Sequence, residues 1–286
     1  MKLILFFFSL YVGLSSCSSD DTNSNTDKEP SVTEVLVKKD IAYGSHPLQT
    51  YDFYLPANRS ESTTKVVVLV HGGGWTSGDK ADMTPFLQLI QSKGNDYAIA
   101  NVNYVLADST TKAYPNQIND LEKAIAHIKK SAAENKTKSE FAFVGVSAGA
   151  HLSLLYAYAF DPLNEVKAVS SIIGPTDFTD PNYLNNPQYV GAFPFLVENL
   201  TPDNTELLKI ISPSFQVTTN TPPTIMFYGN EDPLIPNTQH QRLKTSLEQK
   251  DIIHDLTIYN GGHGNWDATS YIDLDAKLNT FLKEHL

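Results

Sequence analysis

A tight turn between a predicted strand and a predicted helix constrains the fold of this chain more than any other feature. Residues 141–144 are the apolar run Phe-Ala-Phe-Val, and residues 145–149, Gly-Val-Ser-Ala-Gly, follow directly. Glycines on both sides of Ser147 let a strand and a helix approach closely while the serine occupies a strained position at the tip. The sequence therefore predicts a nucleophile elbow, with Ser147 exposed at the end of a buried strand.

Short β-branched or aromatic runs alternate with longer helical patterns over the rest of the chain. This alternation is typical of a mostly parallel sheet with helices on both faces, so the predicted fold class is α/β. The predicted strands are residues 41–43, 49–54, 65–70, 97–104, 141–144, 166–173, 224–228 and 253–259, the first two as an antiparallel entry. The predicted helices are residues 83–92, 115–134, 148–158, 238–249 and 271–284.

Residues 176–221 interrupt the alternation with five prolines and several aromatic residues. Only residues 206–211 have a helical pattern there. A long insertion of this kind either packs its own small cluster on the surface or forms a lid over a site. Since no internal repeat or second core is visible, residues 35–286 are expected to form one domain with this insertion.

The first 17 residues have the arrangement of a secretory signal. A basic start is followed by a twelve-residue apolar stretch, which is too short to span a bilayer comfortably as a helix. Residues 14–17, Leu-Ser-Ser-Cys, resemble the lipobox of bacterial lipoproteins, and Cys17 is the only cysteine of the chain. We expect lipid attachment at Cys17; the alternative is ordinary signal cleavage nearby with an incidental cysteine.

The polar residues 18–34 are too poor in apolar side chains to fold alone, and they are expected to form a flexible tether. Together with the lipid anchor, this tether predicts a location on the bacterial cell envelope. The formal net charge is −11 and no cluster of Lys and Arg is present, so nucleic acid is excluded as a partner. Membrane contact is expected through the anchor alone, and the sequence does not indicate an oligomeric state.

A serine nucleophile needs a base and a third group that orients the base. Asp232 follows the predicted strand 224–228, at the edge where open α/β sheets build their sites. Its neighbour Glu231 competes for this role, and Asp232 has the alternative of capping the next helix. His263 lies among three glycines after the last predicted strand and is the candidate base. The order Ser147, Asp232, His263 is that of the α/β-hydrolase arrangement.

Residues 71–75, His-Gly-Gly-Gly-Trp, come directly after the predicted strand 65–70. Glycines let backbone amides face a substrate, so Gly73 and Gly74 are the predicted oxyanion donors together with Ala148, the residue after the serine. His71 is expected to orient this loop. His151 is expected to pack within the elbow helix, and Trp75 either lines an acyl pocket or belongs to the core.

These motifs resemble the esterase and lipase branch of the α/β-hydrolase fold, and its small xylan- and feruloyl-type esterases in particular. The matching segments are residues 71–80, 103–104, 114–120, 145–151, 212–213, 229–236 and 261–264. The resemblance implies a serine carboxylic ester hydrolase that acts through an acyl-enzyme, with acetyl or feruloyl esters of plant polysaccharides as substrates. One departure is Val105, where such proteins often have an arginine. This difference leaves open how a neighbouring loop of the sheet is supported, but it does not affect the predicted chemistry.

No cofactor is implied, and the remaining histidines lack companion ligands, so no metal site is expected. Two other functions stay open. The same machinery cleaves amides, so a serine peptidase or amidase is one alternative. Such peptidases usually carry a large domain before the hydrolase core, and we do not expect one before residue 35. A non-catalytic lipoprotein that binds glycan or a partner protein is the other.

Overall fold

A single twisted sheet forms the centre of the computed structural model, which describes Val32, residues 34–94 and residues 96–286. The strands are β1 (Leu36–Ala42), β2 (Thr50–Leu55), β3 (Val66–Val70), β4 (Ala98–Val102), β5 (Phe141–Val146), β6 (Val166–Ile172), β7 (Thr224–Gly229) and β8 (His254–Tyr259). Their order across the sheet is β1-β2-β4-β3-β5-β6-β7-β8. The pairs β1–β2 and β2–β4 are antiparallel and the other pairs are parallel, which confirms the predicted α/β class with its antiparallel entry.

Helices lie between the strands and after the last one, and each of the five helices predicted outside the insertion is present. The α-helices are α1 (Thr84–Ser92), α2 (Asn116–Lys130), α3 (Ala132–Asn135), α4 (Ala148–Ala159), α5 (Pro181–Leu184), α6 (Pro187–Val190), α7 (Phe193–Leu196), α8 (Thr205–Ile210), α9 (Thr238–Glu248) and α10 (Ala268–His285). The helix predicted over residues 115–134 is divided at Ser131 into α2 and α3. Helix α10 begins three residues earlier than predicted, because Asp267 accepts a hydrogen bond from the Ser270 amide as its N-cap.

The central strands are buried on both faces, as parallel strands covered by helices must be. In β3 every residue is buried, and successive side chains enter two different core clusters. One cluster packs β3 against α2, α4 and α9, and the other packs it against α1 and α10. The candidate site residues, which follow these strands, therefore project from loops at the carboxyl edge of a rigid scaffold.

The insertion contains more helix than the sequence predicts. The expected helix over residues 206–211 is present as α8, and the one-turn helices α5, α6 and α7 precede it. Tyr183, Tyr189 and Phe193 of these short helices are buried in the first core cluster, together with Phe178, which precedes α5. Helices of four residues are too short to produce a periodic pattern, which is why the sequence did not predict them.

Contacts among residues Val32–Leu286 form one compact unit. The predicted signal segment, Cys17 and most of the predicted tether lie outside the described residues. Among the described helices, none combines the length and apolar character needed to cross a bilayer.

Candidate active site

Ser147 stands at a sharp turn between β5 and α4. Its backbone has φ +54° and ψ −119°, a conformation that costs a residue with a side chain about 1–2 kcal/mol. A Cβ atom on Gly149 would lie 2.2 Å from the Val70 carbonyl oxygen, and one on Gly145 would lie 2.4 Å from the Gly149 carbonyl oxygen. Helix α4 can therefore approach the sheet only because both positions lack a side chain.

Three side chains from separate loops meet at this turn. The Nε2 atom of His263 lies 3.0 Å from the Oγ atom of Ser147, and its Nδ1 atom lies 2.7 Å from the Oδ2 atom of Asp232. The Asp232 side chain is fully buried, and 21% of the His263 side chain is exposed. The Oδ1 atom of Asp232 accepts hydrogen bonds from the amides of Leu234 and Ile235 at 2.8 and 3.0 Å. Asp232 thus caps a turn with one oxygen and holds the imidazole with the other.

The loops of Asp232 and His263 are in direct contact. A Cβ atom on Gly229 would lie 2.3 Å from the Gly262 carbonyl oxygen, so the end of β7 needs glycine there. The Glu231 amide donates to the Gly261 carbonyl at 2.9 Å, and the Glu231 residue is exposed. Of the two candidate acids, the one that contacts the imidazole is Asp232.

The glycine loop after β3 has an unusual backbone. Gly73, Gly74 and Trp75 have φ values of +111°, +56° and +64°. Successive residues with positive φ turn their amides away from regular ladders, and among the described residues the N–H groups of Gly73 and Gly74 have no hydrogen-bond acceptor. Ala148 is the first residue of α4, so its N–H also lacks an acceptor within the helix. These three amides are free to bind an oxyanion.

His71 supports the glycine loop from below. Its ring is completely buried and stacks on Tyr104 with ring centres 4.2 Å apart. The Tyr104 hydroxyl donates to the His71 carbonyl at 2.9 Å, and His71 Nδ1–H donates to the Gly72 carbonyl at 2.7 Å. Burial lowers the pKa of His71. A neutral, buried ring with these contacts matches the expected orienting role.

Helix α2 supports the loop that contains Val105. The Val105 amide donates to Asp120 Oδ2 at 3.0 Å, and Gln117 Nε2 donates to the Val105 carbonyl at 2.9 Å. Gln117 Nε2 also donates to the Trp75 carbonyl at 2.7 Å. The loop after β4 and the glycine loop are therefore held by the same glutamine.

His151 has a polar role that the sequence did not reveal. The indole Nε1–H of Trp75 donates to His151 Nδ1 at 3.1 Å, and His151 Nε2–H donates to the Ile211 carbonyl at 2.7 Å. The only signal in the sequence is a histidine in the otherwise apolar helix that follows Ser147. Packing was the expected role, and hydrogen bonding accompanies it.

Two cavities meet at Ser147 and His263. The larger, about 500 Å³, opens between the glycine loop, α1 and the start of α10; its other lining residues include Asp82, Met83, Phe86, Ile173, Leu234 and Tyr271. The smaller, about 160 Å³, lies under the insertion, and its other lining residues include Trp75, Ala148, Pro175, Tyr183, Tyr189 and Ile235. Trp75 and two insertion tyrosines thus line a pocket and also belong to the core. Within the described residues, no group of three or more His, Cys, Asp or Glu side chains is placed to hold a metal ion.

Comparison with known proteins finds esterases among the relatives, together with a kynurenine formamidase of Scheffersomyces stipitis and a dipeptidyl peptidase family member of Caenorhabditis elegans. Esterase LipQ of Mycobacterium tuberculosis is 27% identical over 194 residues, which are 64% of this chain and 45% of LipQ. The chain spans about half the length of the curated relatives that it matches first.

Solved structures share the fold. The bifunctional GH43-CE protein of Bacteroides eggerthii has a TM-score of 0.69 and 25% identity, over 84% of this chain and 38% of that one. A truncated carbohydrate esterase from gut microbiota has a TM-score of 0.69 and 21% identity, over 87% and 97%. Residues 51–247, more than half of the chain, match the family model described as BD-FAE. The chain therefore belongs to the BD-FAE family and has the α/β-hydrolase fold.

Proposed function

We propose that this protein is a serine hydrolase of carboxylic esters. The observation that carries the proposal is the continuous contact from Ser147 Oγ to His263 Nε2, and from His263 Nδ1 to Asp232 Oδ2, at 3.0 and 2.7 Å. A serine with a base in hydrogen-bond reach, and a carboxylate that orients the base, is the arrangement needed for covalent acyl transfer. Similarity to an esterase such as LipQ supports the same reaction class.

In the first half of the reaction, His263 Nε2 takes the proton of the Ser147 hydroxyl while Oγ attacks the ester carbonyl carbon. The carbonyl double bond opens and its oxygen becomes negatively charged. As the tetrahedral intermediate collapses, the bond to the alcohol oxygen breaks and His263 gives that oxygen its proton. Asp232 stabilises the imidazolium that exists between these two proton transfers.

In the second half, His263 takes a proton from water, and the resulting hydroxide attacks the acyl carbon bound to Ser147. Collapse of this intermediate returns the proton to Ser147 Oγ and releases the carboxylic acid. Both intermediates carry an oxyanion, which the amides of Gly73, Gly74 and Ala148 bind. Each such donor contributes about 3–4 kcal/mol to transition-state stabilisation, and the N-terminus of α4 favours the same charge.

The two cavities suit the two parts of an ester. The acyl group enters the smaller pocket, because its apolar and aromatic lining lies beside the Ser147 and Ala148 end of the oxyanion site. The alcohol enters the larger, open cavity, where the Asp82 carboxylate can accept hydrogen bonds from hydroxyl groups and Phe86 offers an apolar face. In acetyl and feruloyl esters of plant polysaccharides, the acetyl or feruloyl group is the acyl part and the carbohydrate is the alcohol part. The similarity to the GH43-CE protein and to a carbohydrate esterase supports such esters as substrates.

The test is a substrate panel with purified protein. Nitrophenyl acetate, nitrophenyl butyrate, acetylated xylan, methyl ferulate and an aminoacyl anilide are compared for the wild type and Ser147→Ala. We expect ester turnover that the alanine variant loses. Ester turnover that survives in Ser147→Ala contradicts the mechanism, and anilide turnover that exceeds ester turnover favours a peptidase or amidase.

We further propose that Cys17 carries a lipid that anchors the domain to the bacterial cell envelope through the polar tether. The support is in the sequence: a signal-like start, a lipobox-like segment and a single cysteine. Expression of the full chain with Cys17→Ser should release it from the membrane fraction. Unchanged membrane partitioning of that variant refutes lipidation at Cys17.

A further inference from the structure

Trp75 ends the run of left-handed residues that carries two of the proposed oxyanion donors. Its φ of +64° follows those of Gly73 and Gly74, so the direction of their amides depends on how this residue is held. A bulky residue keeps such a conformation only where its surroundings impose it. The Trp75 carbonyl accepts hydrogen bonds from the Ala107 amide at 2.9 Å and from Gln117 Nε2 at 2.7 Å.

The side chain of Trp75 is held independently of its carbonyl. The indole N–H donates to His151 Nδ1 at 3.1 Å, and the two rings meet edge to face with centres 5.5 Å apart. His151 lies one helical turn after Ser147, and its amide donates to the Ser147 carbonyl at 3.1 Å. One imidazole thus joins the glycine loop to the helix that begins at the nucleophile.

The second ring nitrogen of His151 is bound as well. Nε2 lies 2.7 Å from the Ile211 carbonyl oxygen, directly after α8. An indole N–H only donates and a carbonyl only accepts, so both bonds require the neutral tautomer with its proton on Nε2. Burial lowers the pKa of His151 to about 4, which keeps this neutral form at ordinary pH.

We propose that His151 is a positioning residue for the oxyanion site: through Trp75 it sets the direction of the Gly73 and Gly74 amides relative to Ser147. This inference rests on the proposed ester hydrolysis. A rigid ring with an acceptor on one side and a donor on the other connects the glycine loop, the elbow helix and the insertion. A misplacement of about 1 Å in such a site reduces the rate about 100-fold.

Four variants test the role of this pair. Trp75→Phe removes the indole N–H and keeps an aromatic ring, and His151→Leu removes both ring nitrogens. His151→Gln restores one acceptor and one donor. Tyr158→Phe is the matched control, because it removes a buried hydrogen bond to Thr224 Oγ1 from the same helix without contact to the glycine loop. All four are assayed for ester hydrolysis and for thermal unfolding.

We expect Trp75→Phe and His151→Leu to lower kcat about 10- to 100-fold with KM changed less than about threefold, because the loss falls on the transition state. The double variant Trp75→Phe/His151→Leu should lose little more than His151→Leu alone, since both substitutions remove the same Trp75–His151 hydrogen bond. His151→Gln should recover most of kcat, and Tyr158→Phe should keep it. Full kcat in folded His151→Leu or Trp75→Phe overturns the proposal.

A second measurement does not depend on turnover. In ¹H–¹⁵N spectra, His151→Leu and Trp75→Phe should shift the amide signals of Gly73 and Gly74, while His151→Gln and Tyr158→Phe should leave them near their wild-type positions. Unchanged glycine signals in both disruptive variants overturn the positioning role. A wild type without ester turnover contradicts the proposed function instead, and the spectra then still decide whether His151 sets the amides.

Discussion

The Oδ2 atom of Asp232 lies 2.7 Å from the Nδ1 atom of His263. A buried carboxylate only accepts hydrogen bonds, so His263 must carry a proton on Nδ1 and present a bare Nε2 to Ser147. This is the tautomer that can remove the serine proton. The other oxygen of Asp232 is bound by two backbone amides, which prevents the carboxylate from rotating away.

Replacing Asp232 by Asn should lower kcat by about 10⁴-fold, because an amide N–H facing Nδ1 favours the wrong imidazole tautomer. The measurement is steady-state hydrolysis of nitrophenyl acetate. Glu231→Gln is the control, since this exposed neighbour does not contact His263 and should retain wild-type kcat. A similar loss in both variants would show that the loop, and not the carboxylate at position 232, is responsible.

Replacing Gly149 by Ala should destabilise the protein by about 3 kcal/mol or more, because the new methyl group overlaps the Val70 carbonyl and pushes α4 from β3. Gly94→Ala is the control: Gly94 also has a positive φ, +63°, but a Cβ atom there meets nothing within 4 Å. Gly94→Ala should lower the free energy of unfolding by only about 1 kcal/mol. Urea unfolding of both variants measures the difference, and equal costs would argue against close packing at the elbow.

The buried, neutral His151 should make the protein less stable in mild acid. Burial lowers its pKa from 6.5 to about 4, so between these values the unfolded chain binds a proton that the folded protein does not. The contribution of His151 to the free energy of unfolding is therefore complete above pH 6.5. It decreases as the pH falls to about 4, by on the order of 3 kcal/mol. His151→Gln should remove this part of the pH dependence. The measurement is the free energy of unfolding of the wild type and of His151→Gln from pH 7 to pH 4. If the two values fall in parallel, this prediction is wrong.

Shortening Tyr189 should widen the acyl pocket. Tyr189 stacks on Tyr183 with ring centres 4.3 Å apart, and its hydroxyl donates to the Pro233 carbonyl at 2.5 Å. Tyr189→Ala should raise kcat/KM for nitrophenyl octanoate relative to nitrophenyl acetate by about tenfold, the gain expected from about two buried methylenes. Tyr189→Phe keeps the ring and should retain the wild-type preference. An unchanged ratio in Tyr189→Ala would place the acyl group elsewhere.

The sequence predicted those parts of the site that depend on local chain geometry. Ser147 between two glycines, and His263 in its glycine loop, follow from the backbone that such turns require. Asp232 follows from its place after a buried strand. The parallel order of the strands brings all three to one edge of the sheet, so a local pattern was sufficient to predict their proximity.

The parts that depend on distant pairs could not be predicted in this way. Trp75 and His151 are 76 positions apart, and neither residue alone indicates the other. The pocket wall formed by Tyr183 and Tyr189 lies on one-turn helices that produce no periodic signal. Gln117 supports Val105 through a side chain whose place is fixed only when α2 packs on the sheet.

The central claim is that Ser147 forms a covalent acyl intermediate, and mass spectrometry of the protein during ester turnover tests it most directly. Nitrophenyl butyrate should give a burst of nitrophenol and an acylated form whose added mass maps to the peptide containing Ser147. The Ser147→Ala variant, which should stay folded, should show neither burst nor adduct. Turnover without an adduct on that peptide, or turnover that persists in Ser147→Ala, would contradict the account.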